Sequence, residues 1–401
     1  MLCFRLIGPK IAPYPFEISV IGIDGPGPAQ SDKVDLKPDW AVVAVLLWGE
    51  NMTHLPRFET QDISWAPPRR HKGQLRCLVA GGAGFLGSHL CDRLIEAGHS
   101  VICIDNLLTG RTQNIAHLMG HPDFTFLRHD VIAPLQMHGE IDRIYNLACA
   151  ASPPKYQLDP LHTFQTCVAG SMNLLSLAER TGARILQAST SEVYGDPDIS
   201  PQREDYRGRV NTTGPRACYD EGKRAAETLF HDLQACRGID TRIARIFNTY
   251  GPRMDPEDGR VISNFVTRAI RGTPLELYGG GTQTRSLCYV DDLISGLVAL
   301  MESETVGHEP VNLGNPGEYT VAELAHIVRD MCESRAPLVV SDLPLDDPMQ
   351  RCPDITRAET RLGWRPEIAL RSGLVPTIAY FRAEIAGVET ATAPITATAA
   401  E

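Results

Sequence analysis

No stretch of the sequence is apolar for long enough to cross a membrane. The most apolar run near the start, Trp40 to Trp48 (WAVVAVLLW), is less than half of the roughly 20 residues that a spanning helix needs. No anchor is expected, and no basic segment leads into an apolar stretch at residue 1 as a secretory signal requires. Basic charge is also short: 38 Lys and Arg against 49 Asp and Glu leave a net charge of -11. Such a chain has no field to attract nucleic acid or an anionic membrane, although a local arginine cluster remains able to hold a phosphate. The 11 cysteines are odd in number and scattered from Cys3 to Cys352 without a C-x-x-C pair, which points to neither a disulfide framework nor a zinc site. No metal is expected, and a reducing cytoplasm fits these absences. Internal repeats are missing as well.

What remains is the composition of a globular protein, 43% hydrophobic and 22% charged over 401 residues, long enough for two lobes. Residues 1–74 carry no signal to which a role can be given, and WAPPRRHKG (65–73) has the proline and charge of a linker. From Arg76 the chain alternates. A short apolar run, RCLVA, is followed by glycines, an amphipathic stretch from Ser88 to Ala97, and a second apolar run, SVICID. IDRIYNLA, SMNLLSLAERTG, ARILQAST, ACYDEGKRAAETLFHDLQACRG and DTRIARIF continue the pattern. Strands alternating with helices imply βαβ units and hence an α/β fold with a Rossmann-type doubly wound parallel sheet. Near residue 250 glycine and proline rise and the alternation weakens. The reading is therefore a dinucleotide-type domain over 75–250, a smaller C-terminal substrate-binding lobe over 251–385, and a low-complexity tail from 386 that is expected to be disordered.

Gly81, Gly84 and Gly87 in GGAGFLG lie between the first strand and the first helix. Glycine suits a tight turn that must also let a pyrophosphate approach the backbone at a helix N-terminus. Three spaced glycines alone also fit a plain tight turn; the context favours a cofactor. Asp105 closes the second strand, where a carboxylate can accept hydrogen bonds from both ribose hydroxyls and would repel a 2′-phosphate, favouring NAD over NADP. Arg111 nearby leaves that preference open. Phe85, Leu86, Asn106, Leu147 and Ala148 are further expected cofactor contacts. Asp130, after the third strand, fits either an adenine contact or a solvated loop carboxylate.

Tyr219 and Lys223 are four residues apart in CYDEGKRAAETL and share one face of a helix. A tyrosine with an ordinary pKa near 10 is a poor base at neutral pH, and an adjacent ammonium stabilises its phenolate. Y-x-x-x-K is common by chance, but here it follows a strand end reading Thr190-Ser191-Glu192, which brings hydroxyls and a carboxylate to the edge where open α/β sheets bind ligands.

Seven strings, TSEVYGDP (190–197), RACYDEGKR (216–224), ARIFNTYGPRM (244–254), DGRVISNF (258–265), QTRSLCYVDDL (283–293), NLGNPGEYT (312–320) and DDPMQRCPDI (346–355), closely resemble the UDP-glucuronate decarboxylases of the extended short-chain dehydrogenase/reductase family. The resemblance runs from about Arg76 to Phe381. It implies a carboxy-lyase that uses bound NAD to oxidise the 4-hydroxyl of UDP-glucuronate, loses carbon dioxide from the resulting β-keto acid, and reduces the 4-ketone to give UDP-xylose. It further implies that Tyr219 is the base at the 4-hydroxyl, that Lys223 depresses its pKa and holds the nicotinamide ribose, and that Thr190 orients the reacting oxygen. Ser191 and Glu192 would serve the sugar carboxyl end and later proton delivery, with Arg285 facing that carboxylate. Asn248, Arg253, Arg260, Asn264 and Tyr278 resemble the family positions that grip UDP, an arginine fork suiting a diphosphate. Arg351 is a weaker candidate for the same task, since any one such arginine alone reads as a solvated charge. Family members generally form homodimers by pairing helices, which points to the segments near 161–180 and 217–237.

The chain departs from the family at Ala150, where proline is usual, at Gln165, where lysine is usual, and at Cys167, where asparagine is usual. The charge lost at Gln165 is expected to weaken substrate binding. A 4-epimerase, a 4,6-dehydratase or a decarboxylase releasing its 4-keto product shares much of this pattern. A non-catalytic NAD sensor or scaffold would call for a broken Tyr/Lys pair, and that pair is intact.

Overall fold

The computed structural model describes residues 71–137, 139–342 and 350–392, with side chains to 387. Most of the N-terminal extension and the first four residues of the DDPMQRCPDI string lie outside the described residues. Seven strands make the central sheet: β1 (Arg76–Ala80), β2 (Ser100–Asp105), β3 (Phe124–Arg128), β4 (Arg143–Asn146), β5 (Arg184–Thr190), β6 (Thr241–Ile246) and β7 (Pro310–Leu313). They lie in the order β7-β6-β5-β4-β1-β2-β3, every neighbouring pair parallel. The strands β1, β2 and β5 are buried along their whole length, as expected where helices cover both faces, and this is why they read as continuous apolar runs. The strand order reverses between β1 and β4, so the crevice for a ligand opens at the C-terminal ends of these two strands.

Helix α1 (Phe85–Glu96) buries Leu90, Cys91 and Leu94. Helix α2 begins at Pro160–Gln165, passes through a π turn at Thr166–Gly170 and ends at Ser171–Thr181. Asp159 caps its start by accepting from the His162 amide, and Gly182 ends it in the left-handed region at φ +70°. Helix α3 (Ala217–Arg237) carries the Tyr/Lys face and ends in the same way at Gly238.

Pairing crosses the expected boundary near 250, because β7 returns from the C-terminal part to pair with β6 in register Val311 to Ala244. Among the described residues three two-stranded sheets join the rest, Cys288–Tyr289 with Thr249–Tyr250 across that boundary, and beyond it Glu318–Thr320 with Thr284–Ser286 and Leu338–Ser341 with Leu275–Tyr278. One apolar core runs from α1 into this part through Leu293, Leu297, Leu324 and Phe381, and all described residues belong to one compact unit. The last helix, α4 (Leu370–Thr392), continues past 386, where a disordered tail was expected to start. Its Ile378, Phe381 and Ile385 are buried, and this apolar face carries the chain onward as helix. Among the described residues no helix is long and apolar enough to cross a membrane.

Candidate active site

The glycine turn is dictated by packing at two of its three positions. Gly81 has φ +77°, and a Cβ there would lie 2.7 Å from the Leu147 carbonyl oxygen. A Cβ on Gly87 would lie 2.1 Å from the Gly81 oxygen, so the helix could not approach the turn. Gly84 meets only that same oxygen, at 3.2 Å. Nothing in the chain demands glycine there as strictly, and Gly84 starts α1 without a side-chain cap. Its backbone is thus open to an anion at the helix N-terminus. Asp105 is buried and accepts hydrogen bonds from the amides of Ala83 (3.0 Å) and Leu107 (2.8 Å), fixing the carboxyl against the turn. Burial pushes its pKa up against the pull of those two amides.

Arg111 pairs with Glu384 of α4, so its guanidinium already has a carboxylate partner. Asp130 accepts from Asn106 and His162, both at 2.8 Å. Burial raises its pKa, but these bonds and that from the Ile132 amide outweigh it and hold the group down to about 2. Of the two readings of Asp130, the structure gives neither a bare surface charge nor an isolated contact but a networked carboxylate at the cavity wall.

At the end of β5, Thr190 accepts from the Glu192 amide (3.2 Å) and opens the turn Ser191–Tyr194. Tyr219 is buried, its ring stacked on Tyr156 with centroids 4.9 Å apart and planes 1° from parallel. The Lys223 Nζ donates to the Ala188 carbonyl at 2.8 Å and stands 5.8 Å from the Tyr219 ring centre. Burial pushes the Tyr219 phenol well above its ordinary pKa, with a hydrogen bond to Thr190 pulling the other way. The expectation that Lys223 depresses this pKa therefore meets a stronger opposing effect, the loss of water around the phenol.

Glu192 is clamped by Arg216, at 2.6 Å, and by both terminal nitrogens of Arg351. Burial alone would raise its pKa; the two guanidiniums bring it down to about 2. Arg351, expected on the diphosphate, is thus engaged at the β5 end.

All the other expected substrate residues reach the same space. Arg260 pairs with Asp258 and Arg253 with Asp92 at 2.6 Å; Arg253 holds a left-handed backbone at φ +64°. Asn264 donates to the Gly259 carbonyl (2.9 Å), Tyr278 to Glu276 (3.0 Å), and Arg285 to the Thr284 carbonyl (2.8 Å). The Asn248 carbonyl accepts from the Cys288 amide (2.9 Å). Every residue assigned to cofactor, substrate or chemistry from the sequence lines one cavity of about 540 Å³, of a size ordinary for small-molecule sites. Gln165 does not line it, so the lost lysine charge has no direct place at its wall.

Residues 77–314 match the family described as NAD dependent epimerase/dehydratase family. The chain belongs to this family. It is 54% identical over 312 residues to UDP-glucuronic acid decarboxylase 1 of Arabidopsis thaliana, covering 78% of this chain and 71% of that one. It is 48% identical over 336 residues to UDP-glucuronic acid decarboxylase 1 of Xenopus tropicalis, covering 84% and 79%. Among solved structures, a UDP-glucuronic acid 4-epimerase from Bacillus cereus in complex with UDP-glucuronic acid and NAD matches with TM-score 0.69 and 26% identity over 77% of this chain and all of that one. A dTDP-glucose 4,6-dehydratase from Streptomyces venezuelae with NAD bound matches with TM-score 0.72 and 27% identity, covering 78% and 98%. The resemblance read from the sequence strings is borne out.

NAD, the cofactor of this epimerase/dehydratase family, fits the residues present: the uncapped helix start at Gly84 suits its pyrophosphate, and Asp105 suits its adenosine ribose. Four side chains around the site were not singled out from sequence. Arg216 clasps Glu192, Tyr156 stacks on Tyr219, and His162 holds Asp130. The fourth, Asp220, is buried beside them, and burial together with the Glu192 charge pushes its pKa up to about 7. Arg216 and Asp220 sit inside the RACYDEGKR string, which was the available signal. For Tyr156 and His162 there was none, because their partners, Tyr219 on α3 and Asp130 after β3, are distant in sequence.

Proposed function

We propose that the protein converts UDP-glucuronate to UDP-xylose and carbon dioxide through a 4-keto intermediate, with tightly bound NAD used and regenerated. The observation that carries this reading is the placement of Thr190, Tyr219 and Lys223 on the same cavity as the glycine turn and the Glu192, Arg216 and Arg351 cluster. Bound NAD supplies hydride acceptance and return at the sugar C4. Tyr219 takes the 4-hydroxyl proton and later returns one to the ketone oxygen, with Thr190 aligning that oxygen and Lys223 stabilising the phenolate. The buried, protonated phenol suits the second of these tasks; the first needs the positive charge that Lys223 brings.

A carboxylate leaves as carbon dioxide only when a carbonyl β to it accepts the electrons, so oxidation at C4 is what makes the loss easy. Two guanidiniums around Glu192 carry one positive charge more than that carboxylate cancels, which favours the anionic end of the sugar; Arg285 is assigned to the same end. Arg253, Arg260, Asn248, Asn264 and Tyr278 are assigned to UDP. Glu192, with both oxygens held by arginines, acts as the holder of that cluster.

A 4-epimerase acting on the same substrate is the second reading, favoured by the likeness to the Bacillus cereus structure. Chromatography followed by mass spectrometry of the product from UDP-glucuronate, with added NAD withheld and then supplied, separates the two: loss of carbon dioxide supports the decarboxylase, a new peak of unchanged mass the epimerase. We also assign the protein to the cytoplasm and to a homodimer. Leu161, Phe164 and Met172 on α2 and the adjoining Leu158 are exposed, the kind of apolar row that a second copy covers.

A further inference from the structure

Cys149 and Cys167 approach each other to 3.5 Å between sulfurs, although 18 residues separate them and no sequence pattern joins them. Cys149 lies on the loop that follows β4 and lines the cavity, partly exposed. Cys167 is buried in the π turn of α2 and abuts α3 at Gly222, between Tyr219 and Lys223: a Cβ on Gly222 would lie 3.0 Å from that of Cys167. The hydrogen bond between the two sulfurs, with Lys223 nearby, holds Cys167 below the usual thiol range against the effect of burial, while that bond and burial push the Cys149 thiol up. Cys91 and Cys103 are neighbours too, but both are fully buried in the main core, out of an oxidant's reach.

We propose that Cys149 and Cys167 are a thiol pair that hydrogen peroxide oxidises to a disulfide, reversibly switching off the adjacent active site. The Cys149 sulfur attacks one peroxide oxygen while its proton passes to the departing oxygen. The O–O bond breaks, water leaves, and Cys149 becomes a sulfenic acid. The Cys167 sulfur then displaces that oxygen, forming the S–S bond and releasing a second water. Two thiols lose two electrons and one peroxide gains them.

Closing the bond brings the sulfurs from 3.5 Å to about 2.0 Å. The closure falls on the loop rather than on α2, a helix packed on α3. That loop carries Leu147 and Ala148 at the cavity wall, and Ala150, which packs with Tyr156 and Tyr219. A displacement near an ångström at a reacting centre costs on the order of a hundredfold in rate. The disulfide itself stands apart from the reaction proposed above; its effect on turnover rests on it.

The test treats the full-length protein with NAD bound with hydrogen peroxide, blocks remaining thiols, and looks by peptide mass spectrometry for a cross-link between the Cys149 and Cys167 peptides, two hydrogens lighter than their sum. The expected result is that cross-link, a loss of UDP-glucuronate turnover of at least about tenfold, and recovery of both mass and turnover with dithiothreitol. Cys149→Ser should keep under peroxide whatever turnover it shows untreated, and Cys167→Asn, which can oxidise only as far as the Cys149 sulfenic acid, should lose less of its turnover than the unsubstituted protein. Absence of the cross-link, a cross-link without loss of turnover, or equal inactivation of both substituted proteins overturns the proposal. Should neither variant fold, the cross-link and its reversal in the unsubstituted protein still decide it. Lack of turnover in untreated protein would count against the proposed reaction, because the cross-link is read by mass.

Discussion

Tyr219 is the residue on which the proposed chemistry turns, and its surroundings set a hard task, since burial favours the neutral phenol. Tyr219→Phe keeps the ring stacked on Tyr156 but removes the ionisable oxygen. Turnover should fall at least about a hundredfold with stability little changed, and near-normal turnover would remove Tyr219 from the mechanism. The next residue gives a test of stability. Asp220 has its pKa raised to about 7 by burial and by Glu192, against about 3.9 for an ordinary aspartate. Its neutral form is favoured in the fold, so its stabilising contribution is complete below about pH 4 and is lost as pH rises through 7. Asp220→Asn should therefore raise the melting temperature by on the order of a few degrees at pH 8 and by less at pH 5. An equal shift at both values would contradict the assignment. At this scale the sequence was legible where partners are local: Tyr219 and Lys223 meet because four residues make one helical face. The clasp of Arg351 on Glu192 spans 159 residues, and no spacing announces it.

Among the elements, the glycine turn separates what the fold needs from what the ligand needs. The Gly87→Ala methyl would press into the Gly81 carbonyl at 2.1 Å, so this variant should lose stability by several degrees on thermal melting. The Gly84→Ala methyl meets only a 3.2 Å contact. Its melting temperature should stay near that of the parent, while NAD affinity by calorimetry falls about tenfold or more, because the methyl occupies the anion's approach. Equal effects at the two positions would sink this division. The strand-turn-helix opening was readable because short apolar runs and glycines are local signals. The strand β7 was not: four residues beyond the expected boundary carry little pattern of their own, and only the exposed edge of β6 makes them a strand. The run of α4 beyond 386 was missed because the alanine- and threonine-rich end looks the same as a tail, while Phe381 and Ile385 before it are anchored in the core.

At the scale of the whole molecule, the pairing of Arg111 with Glu384 links the cofactor side of the sheet to the last helix. The only arginine that stood against NAD selectivity at sequence level is thereby occupied. NAD should bind at least about tenfold more tightly than NADP by calorimetry, and Glu384→Gln should narrow the gap; equal affinities for the unsubstituted protein would refute the role of Asp105. If the exposed row on α2 joins two copies, Phe164→Glu should shift the mass in light scattering from dimer toward monomer. The central claim is that hydride leaves and returns to one carbon around the loss of carbon dioxide. UDP-glucuronate deuterated at C4 tests it most directly. The account predicts UDP-xylose that keeps the deuterium at C4, with no stoichiometric build-up of NADH. Unlabelled product with NADH accumulating, or labelled product that has kept its carboxyl carbon, would contradict it.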